Sequence, residues 1–118
     1  MIYFIREGEY PNTEVKIGYT SSNDISKRLG SLQNGNPREL WECWKIPGDK
    51  DIEKLVHRFF KRFRIRGEWF REDDWYDILF HYFNENIRHI CESWEHGEYK
   101  PDDSIPEIKH WLKSEVST

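Results

Sequence analysis

The sequence predicts an α+β domain: a small antiparallel three-stranded sheet flanked by helices, with a helical C-terminal extension. Three observations carry that prediction. Short β-rich runs stand at Ile2–Ile5, Val15–Tyr19 and Leu40–Ile46. Apolar residues recur at helical spacing at Ile25, Leu29 and Leu32, and again at Ile52, Val56 (or Leu55), Phe59 and Phe63. Gly, Pro and Asn clusters separate the runs. At 118 residues the chain forms one compact unit with room for a hydrophobic core.

The elements follow in order. Arg6–Glu14 is polar and contains Gly8 and Pro11, so it reads as the loop joining two antiparallel strands. Ser21–Asp24 offers N-caps for the first helix, and Asn34-Gly35 ends it because both tolerate positive φ. Pro47-Gly48 breaks the third strand, and Asp49 or Asp51 caps the second helix. Arg64–Arg71 reads as a basic, aromatic connection. Asp73 or Asp74 then caps a longer helix, with Trp75, Ile78, Leu79, Tyr82, Ile90 and Trp94 predicted on its core side. The polar stretch Glu95–Ser104 precedes a last short helix from Pro106 to Lys113. Within this one unit two segments are expected: a core over residues 1–71, and an acidic, Trp-rich helical tail over 72–118 packed on it.

Composition excludes some classes. No apolar run approaches the ~20 residues of a membrane span, so no membrane partner is expected. The start, Met1-Ile2-Tyr3-Phe4-Ile5-Arg6, reads as a strand rather than a leader. Two cysteines, Cys43 and Cys91, make no disulfide framework and are expected reduced, in a cytoplasmic setting. Net charge is −4, but it is split: residues 1–71 hold 14 Lys/Arg against 10 Asp/Glu, and 72–118 hold 4 against 12. The front suits phosphates, whereas the back repels them or binds something basic.

Chemistry concentrates at Glu53 and His57, one helical turn apart and therefore neighbours on one helix face. A carboxylate suits a hard divalent cation, and an imidazole can move a proton. Arg58, Lys61, Arg62, Arg64 and Arg66 follow at once, interleaved with Phe59, Phe60 and Phe63. That pattern suits a nucleic-acid backbone, and it also suits a helix C-terminus. Glu68 reads as a structural acid paired with an arginine, with a second metal ligand as the other reading. His81, His89, Cys91 and His96 match no usual zinc spacing and read as solvated polar residues.

Four pieces stand in a particular order: Ile2-Tyr3, Lys16-Ile17-Gly18-Tyr19-Thr20, Lys27-Arg28-Leu29, and Glu53 through His57 closed by Gly67-Glu68-Trp69-Phe70. In that order the chain resembles the GIY-YIG nuclease superfamily, in the branch typified by the phage T-five Orf-type DNA-binding domain. The resemblance covers residues 1–71. It implies a metal-dependent endonuclease that hydrolyses DNA phosphodiesters in a phage, mobile-element or host-defence setting. Glu53 would hold one Mg²⁺ (or Mn²⁺), Arg28 would stabilise charge on the phosphorane, and Tyr3 would position or deprotonate the attacking water. Lys16 stands where the second motif usually has tyrosine, Leu32 where one family line has histidine, and Glu68 or Trp69 near a customary asparagine. The general base is therefore open between Lys16 and His57. Lys27 joins the nucleic-acid contacts. Two alternatives stand beside cleavage: a DNA-binding module of the same fold that does not cut, and an interaction protein whose acidic tail binds a protein partner or a second copy.

Overall fold

A computed structural model of the chain describes residues 1–8, 13–21, 26–34, 40–90 and 101–116. Five strands form one antiparallel sheet: β1 (Ile2–Glu7), β2 (Glu14–Tyr19), β3 (Leu40–Ile46), β4 (Arg64–Arg66) and β5 (Trp69–Arg71), in the order β3-β1-β2-β5-β4. Four α-helices accompany them: α1 (Ser26–Asn34), α2 (Lys50–Phe59), α3 (Asp74–Ile90) and α4 (Pro101–Val116). The class is the one the sequence predicts, with two strands more. Arg64–Arg71 is a hairpin, not a connection, and it widens the sheet beyond β2. Gly67, with φ of +52°, supplies the left-handed residue that this tight turn requires.

β1 is nearly continuous in apolar residues because both of its faces are covered. Ile2 and Phe4 point to one side, into a core shared with α2, α3 and α4. Met1, Tyr3 and Ile5 point to the other, where Leu29 and Leu32 of α1 pack over them. Pairing to β2 is regular, Tyr3 opposite Gly18 and Ile5 opposite Lys16. Pairing to β3 shifts by one residue between Phe4 and Ile5, so that Phe4 faces Trp44 and Ile5 faces Glu42.

α2 begins where expected: the Asp49 carboxylate accepts the Ile52 N–H at 2.9 Å. Its predicted core face holds at Ile52, Leu55, Val56 and Phe63, while Phe60 is fully buried in place of the predicted Phe59, which is only partly covered. α3 differs. Its buried side is Tyr76, Phe83 and Ile87, with Phe80, Leu79 and Ile90 partly covered, while Trp75, Ile78 and Tyr82 face solvent. α4 starts at Pro101, earlier than the predicted Pro106, which lies within it. Proline at the first helical position loses nothing, since that N–H has no helical partner. Ile108 and Leu112 bring α4 into the main core. The N-cap candidates 22–24, Ile25, Gly35, Cys91, Trp94 and residues 95–100 lie outside the described residues.

Phe4 organises that core. Its ring centroid lies 5.6 Å from Trp44, 5.6 Å from Phe80, 6.0 Å from Phe83 and 6.3 Å from Phe60. These are the spacings at which aromatic pairs attract beyond simple burial. No helix among the described residues is long and apolar enough to cross a membrane.

Candidate active site and nucleic-acid interface

The candidate residues come from both sides of the sheet: Glu53 and His57 from α2, which packs on the Ile2 and Phe4 face, and Tyr3 and Lys16 from the face that α1 covers. Strand alternation sends Tyr3 to this face, where it is 1% exposed. Its ring lies directly over Gly18: a β-carbon there would sit 2.6 Å from the tyrosine Cζ and closer still to its hydroxyl. Gly18 is therefore required by the approach of Tyr3, and the two motifs at Ile2-Tyr3 and Lys16-Ile17-Gly18 are halves of one packing unit. The same alternation puts Lys16 on this face. Its ammonium lies 3.2 Å from the Glu68 carboxylate and 5.2 Å from the centre of the Trp69 ring. Glu68 thus pairs with a lysine, not with an arginine as the sequence suggests. The lysine was hidden as a partner because 52 residues separate the two, and the unrecognised hairpin is what brings Glu68 back to β2. The pairing is reinforced where the Ile17 N–H donates to the Glu68 carbonyl at 2.9 Å.

α2 presents Glu53 and His57 toward β2 and β5. The Ile17 carbonyl lies 2.8 Å from His57 Nε2. A carbonyl only accepts, so Nε2 carries the hydrogen and Nδ1 is the nitrogen left to exchange protons in the neutral ring. The imidazole also packs edge-on against Phe70, 5.3 Å between centroids. Burial raises the Glu53 pKa above the ordinary glutamate range; the Glu68 carboxylate adds to the rise, while His57, Lys50 and Lys16 oppose it. Glu53, Glu68, Lys16 and His57 therefore form one electrostatic group along the β2 edge of α2.

Lys27 and Arg28 stand in the first turn of α1; their side chains lie outside the described residues. The helix that carries them packs Leu29 and Leu32 over the Tyr3 face. The five downstream cations are all exposed but do not form one patch. Arg64 and Arg66 lie on β4, the outermost strand, with Arg64 Nε donating to the Gly67 carbonyl at 2.8 Å. Arg62 and Arg71 sit over Phe63, 5.9 and 5.4 Å from its centroid. Arg58, Lys61 and Arg62 border a cleft floored by Phe59, Leu79 and Tyr82. Among the described residues no three His, Cys, Asp or Glu side chains are grouped to hold a metal ion, and His81 is exposed. His89, as a side chain, and Cys91 and His96 lie outside the described residues.

Fold and site together define a small α+β domain whose sheet carries a buried tyrosine, a lysine–glutamate pair and a partly desolvated carboxylate around β2. The T5orf172 domain model matches residues 1–99, and the chain belongs to that family. The match runs from β1 through α3 and stops before α4. Comparison with curated proteins found no match, and neither did comparison with solved structures.

Proposed function

We propose that the domain binds DNA and hydrolyses a phosphodiester at the Glu53 side of the sheet, with a GIY-YIG-like division of labour. The observation that supports this most is the grouping of Glu53, Lys16, Glu68 and His57 beside the packed pair Tyr3–Gly18. Lys16 of β2, Glu53 and His57 of α2, and Glu68 of the β4–β5 turn interact electrostatically across these elements.

The donor set fits one hard cation. Glu53 offers oxygen alone, is partly exposed, and repels the neighbouring Glu68 carboxylate, an unfavourable term that a cation relieves. When bound by Glu53, one Mg²⁺ or Mn²⁺ supplies Lewis acidity toward a phosphate oxygen and toward coordinated water. Arg28, on α1 over the Tyr3 face, offers a guanidinium fork to non-bridging phosphate oxygens. His57 Nδ1 takes the proton of the attacking water, because Nε2 is committed to the Ile17 carbonyl. Tyr3, fixed over Gly18, sets the position of the groups around it. The exposed arginines of β4 and Lys27 hold the backbone on either side.

One specific pair of observations favours a second reading, DNA binding without cleavage. Lys16 is engaged by Glu68 and is only 14% exposed, and Tyr3 is almost fully covered. A plasmid nicking assay with Mg²⁺ or Mn²⁺ separates the two. Cleavage that falls by about 10²-fold or more in both Glu53→Gln and Arg28→Ala supports the enzyme. Salt-sensitive DNA binding with no nicking at any metal concentration supports the second reading. Absence of both cleavage and binding overturns the proposal.

A further inference from the structure

The acidic C-terminal half contains a basic contribution that net charge conceals. Lys109 and Lys113 lie one turn apart on α4, on the side that meets α2. Opposite them stand Lys54 and Arg58, one turn apart on α2, and the cleft between the helices has a volume of about 330 Å³. Arg58 also borders the second cleft, about 660 Å³, where Lys61 and Arg62 continue the line. Arg58 thus lines both clefts. Six cations line them against two carboxylates, Asp51 and Glu115. Asp51 is already 3.6 Å from Lys109, and Glu115 accepts from the Tyr82 hydroxyl at 3.1 Å.

We infer that this channel between α2 and α4 is a second DNA contact, a track for the phosphate backbone of a strand extending away from the cleavage face. The inference rests on the DNA reading above and adds to it a surface and an element, α4. Three arguments carry it. Lys54 and Arg58 recur at i and i+4, which aligns them along one flank of α2, and Lys61 follows just past the helix end, in a 3-10 turn over Lys61–Phe63. Four residues of helix advance roughly 6 Å, and a DNA strand rises 3.4 Å per nucleotide along its axis, so the helical pair matches about two nucleotides. A single helical residue turns the side-chain direction by about 100°, so the flank bearing Lys54 lies next to, and not on, the flank bearing Glu53. A strand that passes the Glu53 flank reaches the channel by continuing around the same helix. Lys109, held 3.0 Å from Asp49, also ties α4 to the N-cap of α2 and fixes the channel's width.

The test is a salt series of DNA-binding affinity by fluorescence anisotropy, using the full chain and a 20-base-pair duplex. The variant Lys54→Gln/Arg58→Gln/Lys113→Gln changes exposed side chains, and its fold is checked by circular dichroism. The slope of log affinity against log salt is expected to fall by about 2–3, at roughly 0.9 per phosphate contact, with at least tenfold weaker binding near physiological salt. Should the triple variant misfold, Lys113→Gln alone decides, with an expected slope change of about one. Wild-type binding with an unchanged slope in the variant overturns the channel while leaving the functional reading intact. So does DNA binding unaffected by the variant alongside variant-sensitive capture of a polyglutamate peptide, which would assign the channel to an acidic protein segment. Wild-type chain that shows no salt-dependent DNA binding overturns both.

Discussion

Gly18 is small because Tyr3 lies on it, and this makes the position a test of the site's packing. Gly18→Ala places a methyl carbon within 3.0 Å of the tyrosine's Cζ and Cε2, too close to its hydroxyl end to fit, and overpacking of this kind costs about 1–3 kcal/mol. Denaturant unfolding should show that loss, and nicking should fall with it, because Tyr3 is displaced from the face it shares with Lys16. Glu53 gives the opposite sign. A carboxyl whose pKa rises on folding is better tolerated protonated in the fold, so the ionised form costs stability at pH above its folded pKa. That cost disappears as pH falls below the unfolded value, near about 4.3. Glu53→Gln should therefore raise Tm at neutral pH while abolishing cleavage, and the gain should shrink on acidification. A Tm lowered by the substitution at neutral pH would show that Glu53 is held for stability instead. The sequence makes Glu53, His57, Tyr3 and Arg28 legible as types in order. It does not make legible that His57 spends one nitrogen on the Ile17 carbonyl, which depends on how α2 docks on β2, or that Lys16 finds Glu68, which depends on a hairpin with almost no sequence signal.

That hairpin is the clearest case of an element hidden by its own position. β4 is three residues long and exposed throughout, so Arg64-Ile65-Arg66 carries no inward-facing apolar partner for alternation to reveal. Its charges are also what an unprotected sheet edge needs against pairing with another chain. Gly67 is the one local hint. α3 misleads for a different reason: it has two apolar stripes. Trp75, Ile78 and Tyr82 satisfy helical periodicity as well as Tyr76, Phe83 and Ile87 do, and only the sheet decides which set is buried. Its docking is fixed at the N-terminal end. Arg6 makes a two-pronged ion pair with the buried Glu72, whose carboxylate also accepts from Thr13 Oγ1 at 3.0 Å. Asp77 stands beside this pair, its pKa raised by burial and by the Glu72 carboxylate. Glu72→Ala removes the acceptor for two donors at once. It should cost about 1–3 kcal/mol of stability, measured by denaturant unfolding, with DNA affinity at a temperature well below the transition unchanged. By contrast β1, β2, β3 and α2 were legible, because each carries an uninterrupted pattern bounded by Gly, Pro or an Asp cap.

At the scale of the whole molecule, the charge split and the packing split do not coincide. The acidic half supplies Tyr76, Phe83, Ile87, Ile108 and Leu112 to the same buried cluster as Ile2 and Phe4 of the first strand. Trp111 lies 5.7 Å from Phe59 and 5.8 Å from Phe83 between ring centroids, so α4 closes over aromatic rings of both α2 and α3. Ile108 and Leu112 are fully buried, and burying such side chains contributes about 1.5–3 kcal/mol each. With the partly buried Trp111, Ile105 and Val116 added, α4 holds a share comparable to the 5–15 kcal/mol that separates a typical fold from its unfolded chain. Its loss would uncover Phe59 and Phe83 as well. A chain ending at residue 100 is thus expected to aggregate or to show no cooperative melting transition, even though the family match ends at residue 99. The alternative is a detachable acidic tail that merely screens the basic front. It predicts the reverse: a soluble truncation that melts cooperatively and binds DNA more tightly, since removing residues 101–118 deletes more acids than bases. One thermal scan and one binding titration on that truncation distinguish an acidic shield from a structural wall that also carries Lys109 and Lys113 toward the phosphates.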